Sequence, residues 1–184
     1  MKNKKIWIAI AALLTICISF VFAVENKTQT QNLQQITYLE KKETLKGLQG
    51  VYVTVEELNE TVEKLGLTTQ RIQTDVELKL RQNGIKVFSK KESFATPGLP
   101  YLYVNINNVI ISEGLTIVAY NISVKLIQNV FLERDPTKIC SAVTWDTGSI
   151  GAVTNSKIPT IRERVKEHIE SFVNDYLAVN MNSK

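Results

Sequence analysis

Tyr101-Leu102-Tyr103-Val104-Asn105-Ile106-Asn107, followed after Glu113-Gly114 by Val118-Ala119-Tyr120-Asn121-Ile122-Ser123-Val124-Lys125-Leu126, decides the fold class. Both runs alternate apolar and polar residues with period two, the mark of a strand that buries one face. In the first, extending from Tyr101 to Ile111, Leu102, Val104 and Ile106 share the inner face. Tyr101, Tyr103, Asn105 and Asn107 share the outer one. In the second, Val118, Tyr120, Ile122, Val124 and Leu126 point inward, and Asn121, Ser123 and Lys125 outward. If Glu113-Gly114 joins them as a hairpin turn, the two polar sets lie side by side, because register assigns a whole face at once. The second run continues from residue 116 to 132, too long to lie flat in a small sheet. It should bend, bulge or project, and a projecting hairpin would offer an edge to a partner.

Downstream, residues Glu133 to Lys138 read as a charged loop containing Pro136, and Ile139 to Trp145 as another strand. Asp146-Thr147-Gly148 has turn chemistry and should lead into a short strand from Ile150 to Thr154. The last element is the strongest helix. Ser156 is its candidate cap, Pro159 fits its first turn, and Ile161, Val165, Ile169, Phe172, Val173, Tyr176 and Leu177 fall on one stripe.

Upstream, Pro97-Gly98 and Pro100 mark a turn, and Ile85 to Phe88 a short strand. Before it lies a helix capped by Thr68, with Leu67 positioned to staple onto Ile72. Its buried stripe is Ile72, Val76 and Leu80, and Gly84 stops it after Asn83. Residues Gly50 to Glu56 alternate as a first strand with the valines inward. The carboxylates Glu56, Glu57, Glu60 and Glu63 have no calcium-loop spacing and read as a solvated acidic loop. The resulting order is β-α-β-β-β-β-β-α. It predicts an α+β domain, an antiparallel or mixed sheet of about five strands with two helices on one face.

The amino terminus has a different character. Lys2, Lys4 and Lys5 precede an apolar stretch from Ile6 to Ala23 that ends in Val21-Phe22-Ala23. A charged, then apolar, then small-residue segment is a secretory signal. An uncleaved anchor is the alternative, since 18 residues just span a bilayer. A lipid-acceptor role for Cys17 would need a small residue before it, and Ile16 stands there. The expected organisation is a signal over 1–23, a polar leader over 24–46 and one domain over 47–184.

Removing residues 1–23 takes three lysines and no acids, leaving 161 residues with 19 basic against 18 acidic side chains. The mature charge is about +1, so nucleic-acid binding gains no support from the pI near 9.0. Cys140 is then the only cysteine, which excludes an internal disulfide, and its apolar strand context reads as a buried, inert thiol. The sequons at Asn26, Asn59 and Asn121 matter only in a eukaryotic pathway, and the lysine-rich signal looks bacterial.

Chemistry-bearing motifs are sparse. Asp146-Thr147-Gly148 is similar to the active-site loop of aspartic proteases, where two carboxylates share a proton. One copy would serve only in a homodimer, and such enzymes are all-β, so a turn is the stronger reading. The one histidine, His168, falls at the surface or boundary of the last helix. One histidine and one mature cysteine cannot assemble an ordinary zinc site, and no nucleophile elbow or phosphate loop occurs. No cofactor and no catalytic role are expected.

The strand–helix–strand start, meander and closing helix resemble small bacterial envelope proteins: TolB amino-terminal domains, CsgG-like outer-membrane assembly proteins and LptE-like lipoproteins. The step Asp75-Val76-Glu77-Leu78-Lys79-Leu80-Arg81-Gln82-Asn83-Gly84-Ile85-Lys86-Val87 carries the likeness, and it is one of element order. The resemblance implies a binding or assembly role. With the export signal, the near-neutral mature charge and the missing catalytic constellation, the expectation is a non-enzymatic module in the periplasm or outside the cell. The partner would be another envelope protein or a second copy, with membrane association only if the signal is retained or lipidated. The expected partner face is Tyr101, Tyr103, Asn105, Asn107, Asn121, Ser123 and Lys125. Exchanging Tyr101 and Tyr103 for serine should cost under about 0.5 kcal/mol if these positions are exposed.

Overall fold

The computed structural model describes residues 31–32, 35–110 and 117–181. The expected signal over 1–23, the sequon at Asn26 and the expected turn at Glu113-Gly114 lie outside them. The described residues divide into two units, one up to Lys41 and one from Lys42 onward. Residues 35–43 are helical (α1).

The larger unit holds a mixed sheet of four described strands in the order β1-β2-β3-β4. Strand β1 (Tyr52–Val55) runs parallel to β2 (Tyr101–Ile110). Strands β3 (Ile117–Leu132) and β4 (Asp135–Thr154) follow antiparallel. Parallel strands need a crossover, because a tight turn can only reverse the chain. Here it contains α2 (Glu60–Lys64), α3 (Thr69–Gln82) and α4 (Lys90–Ala95). The closing helix is α5 (Pro159–Asn180).

Three expectations about strands are corrected. Ile85 to Phe88 is not a strand; it contributes a single parallel bridge, Val51 to Val87. The segments 139–145 and 150–154 are one strand, because Asp146-Thr147-Gly148 pairs in register with Lys125-Val124-Ser123. The charged loop shrinks to the turn at residues 133–134, and Pro136 lies within β4. Pro136 cannot donate to a ladder, and it is tolerated because β4 is an edge strand.

The inner face matches the alternation. Leu102, Val104, Ile106, Val118, Tyr120, Ile122, Val124 and Leu126 are buried with Val53 and Trp145 beneath α3 and α5. Helix α3 begins where Thr68 Oγ1 accepts from the Arg71 amide at 3.4 Å. It ends where the Gly84 and Ile85 amides donate to the Arg81 and Leu80 carbonyls, with Gly84 at φ +76°. Its buried residues are Ile72, Val76 and Leu80. From α5, Ile161, Val165, Ile169, Phe172 and Val173 are buried, and Tyr176 and Leu177 pack against them. Ser156 does not cap this helix; Ile158 occupies the cap position with no side-chain bond, and Pro159 spares the first turn one unpaired donor. Arg162 clamps Asp75 across the two helices, with Nη2 donating to Oδ1 at 2.6 Å, and holds that carboxyl below its ordinary range.

The core reaches upstream of residue 47. Leu45 is fully buried, its carbonyl accepts from Asn180 Nδ2 at 2.9 Å, and Asn180 Oδ1 accepts from the Gly47 amide at 2.8 Å. The end of α5 thereby fastens the start of the domain.

Candidate functional site

The sheet face away from α3 and α5 carries the polar side chains in aligned rows. Tyr52 lies beside Tyr101 and Thr54 beside Tyr103. Tyr103 is opposite Lys125, Asn105 opposite Ser123 and Asn107 opposite Asn121. The rows continue to Asp146, Gly148 and Ile150 on β4. All seven residues expected at a partner face therefore share one surface; Asn107 is exposed and the others are half-buried.

One further residue belongs to this surface. Glu56 follows β1 directly, and its amide donates to the Val104 carbonyl at 2.9 Å. Its carboxylate accepts from Tyr103 Oη and Asn105 Nδ2. Asn105 Oδ1 is buried and has no hydrogen-bond partner among the described residues. Sequence reasoning placed Glu56 in a solvated loop. Only the parallel pairing of β1 with β2 brings it onto the tyrosines.

Strand β2 stops at Tyr101, opposite Ile127, whereas β3 and β4 continue together beyond it. The register shifts by one residue at Leu126/Ile127, a bulge at Thr144, and breaks at Phe131/Leu132, where residues 136–138 have no partner in the register. It is a two-stranded ribbon on which Phe131, Ile139 and Val143 are 67%, 60% and 49% exposed. Two strands without a covering layer cannot bury both faces. Cys140 lies on the ribbon and is exposed, correcting the expected buried thiol.

The chemistry-bearing residues separate. Asp146 faces the open side in mid-strand and Thr147 the helices, so no Asp-Thr-Gly loop forms. Casein cleavage abolished by Asp146→Asn is the result that would support the hydrolase reading. Instead the helix face brings Ser149 Oγ within 2.8 Å of His168 Nε2 and Thr147 Oγ1 within 3.3 Å of Nδ1. A turn at Asp146-Thr147-Gly148 would leave no strand to carry this contact between β4 and α5, which needs the continuous ladder. Burial pushes the His168 imidazole below its usual value; neighbouring Glu167 opposes the shift and Arg164 adds to it. A depressed folded pKa makes protonation oppose folding. The stabilisation is full above about pH 6.5 and is lost as pH falls through the folded value. The urea midpoint should therefore fall between about pH 7 and about pH 5, and His168→Gln should flatten that part of the slope. An unchanged slope would refute this account of His168.

Among the described residues no group of His, Cys, Asp and Glu is placed to hold a metal ion. None of their helices is long and apolar enough to cross a membrane. Together these elements define an α+β domain whose mixed sheet packs α3 and α5 on one face, while the short α4 lines a cleft with Tyr52 and Tyr101 on the other. No protein-family model matches the chain, and no curated protein matches it significantly.

Proposed function

We propose that the chain is an exported, non-enzymatic binding and assembly module of the bacterial envelope. In this reading, Tyr101, Tyr103, Asn105, Asn107, Asn121, Ser123 and Lys125 meet another envelope protein or a second copy. One observation carries it: the sheet face opposite α3 and α5 aligns tyrosines, amides and a hydroxyl over neighbouring strands. Tyrosine contributes a large apolar body with a polar tip, so such a surface loses water at modest cost and still forms hydrogen bonds. The ribbon beyond β2, with its exposed Phe131 and Ile139, extends the area that a partner can cover.

The test combines localisation and association. Cell fractionation with amino-terminal sequencing should find a processed chain outside the cytoplasm. Pull-down from envelope extract should then lose its partner when Tyr101 and Tyr103 are both replaced by serine. The stability cost should stay near 1 kcal/mol, because Tyr103 gives up its hydrogen bond to Glu56. Retained association would remove the proposed face. Loss of several kcal/mol would show that the tyrosines serve the fold.

A further inference from the structure

We propose that the cleft between α4 and the β1–β2 pair binds a small aromatic acid, a flat ring bearing one anionic group. The cleft has a volume of about 400 Å³, within the range of small-molecule sites. Tyr52 and Tyr101, side by side across the parallel pair, line it from the sheet. Phe94 stands at its rim and is 68% exposed. An aromatic side chain left in water on a six-residue helix is unfavourable unless something covers it. Three rings around one space favour a fourth, through offset or edge-to-face contact.

Charge selects the other half of the ligand. Lys90 lies four residues before Phe94 on α4, which places both on one side of the helix. Lys90 is the one charged residue among those described as lining the cleft. A cation in an aromatic cleft whose described lining holds no carboxylate complements an anion. Thr54 and Asn129 add polar atoms that can orient it.

The far wall is held in a conformation that its own residue disfavours. Leu99 has φ +44°, a left-handed value rare for a branched side chain. It persists because the Leu99 amide donates to the Thr96 carbonyl at 3.0 Å, and the Asn129 amide to the Gly98 carbonyl at 2.7 Å. The hairpin thus holds Leu99 against the cleft, and strained residues of this kind concentrate where ligands are clamped. The site shares Tyr101 with the partner face but adds Phe94 and Lys90, which lie outside it, so variants at those two positions test the cleft separately from the assembly role.

The probe is 8-anilinonaphthalene-1-sulfonate, titrated into the folded domain by fluorescence while near-ultraviolet circular dichroism monitors native packing. Expected are saturable one-to-one binding, displacement by naphthalene-1-sulfonate, and a loss of about tenfold in affinity in both Phe94→Ala and Lys90→Glu. Both side chains are exposed, so thermal midpoints should not move. Non-saturable binding, or affinity unchanged in both variants, would overturn the site. Equal affinity for neutral N-phenyl-1-naphthylamine would overturn the anionic half of the ligand. Equal displacement by decanoate would overturn the aromatic half.

Discussion

Replacing Trp145 with alanine should lower stability by about 3–5 kcal/mol, the range for emptying a buried aromatic site. Trp145 is 2% exposed and is the one large buried side chain that β4 sends beneath α5. Its ring meets Phe172 edge-on, with centroids 5.1 Å apart at 77°. Its Nε1 donates to Asp175 Oδ2 at 2.9 Å, so one residue supplies both apolar contact and the donor that a buried carboxylate needs. Trp145→Phe separates these contributions. It keeps ring contact and removes the donor, and should cost about 1–3 kcal/mol. Chemical denaturation of both variants is the measurement. Equal losses would mean that the hydrogen bond dominates; a loss under about 1 kcal/mol for alanine would mean that α5 does not depend on this anchor.

Gly148→Ala should cost more than Gly151→Ala, although both glycines lie in β4 three residues apart. A Cβ at Gly148 would lie 2.5 Å from the Ile122 carbonyl oxygen, which belongs to the neighbouring strand. Relief requires the β3–β4 ladder itself to open, at the upper end of the 1–3 kcal/mol (roughly) usual for overpacking. A Cβ at Gly151 would lie 2.5 Å from Tyr120 Oη and 2.6 Å from its Cζ. The far end of that side chain can swing, so the expected cost is about 1 kcal/mol. Urea midpoints rank the two, and the reverse order would show that Tyr120 is held more rigidly than the strand spacing. This contrast also explains the residues of Asp146-Thr147-Gly148-Ser149-Ile150-Gly151. Gly148, expected in a turn, admits a close carbonyl, and Gly151 an aromatic ring, within an uninterrupted strand.

The sequence by itself determined the α+β class, the inner face of β2 and β3, and the course of α3 and α5. These rest on local periodicity and on caps built from neighbouring residues, as with Thr68 and Gly84 around Ile72, Val76 and Leu80. Even the unanticipated α4 had a local signature. Ser89 and Glu92 form a reciprocal capping box, and the bonds from Ser89 together with nearby Lys86 lower the Glu92 carboxyl to about 2.

Tertiary structure alone decided strand partners and everything that follows from them. Period two says which residues share a face, but not which strand lies alongside. Strand β3 presents a ladder long enough to pair Asp146, Thr147 and Gly148, and those hydrogen bonds override their turn preference. That continuity puts Ser149 on His168 and Trp145 under α5. It also carries the ribbon past β2, exposing Cys140 where an apolar strand pattern implied burial. The parallel entry of β1 brings Glu56 to Tyr103 and sets Tyr52 beside Tyr101 in the cleft. These contacts join residues 19 or more positions apart, so no local pattern encodes them; they appear only once burial of the common core selects the pairing.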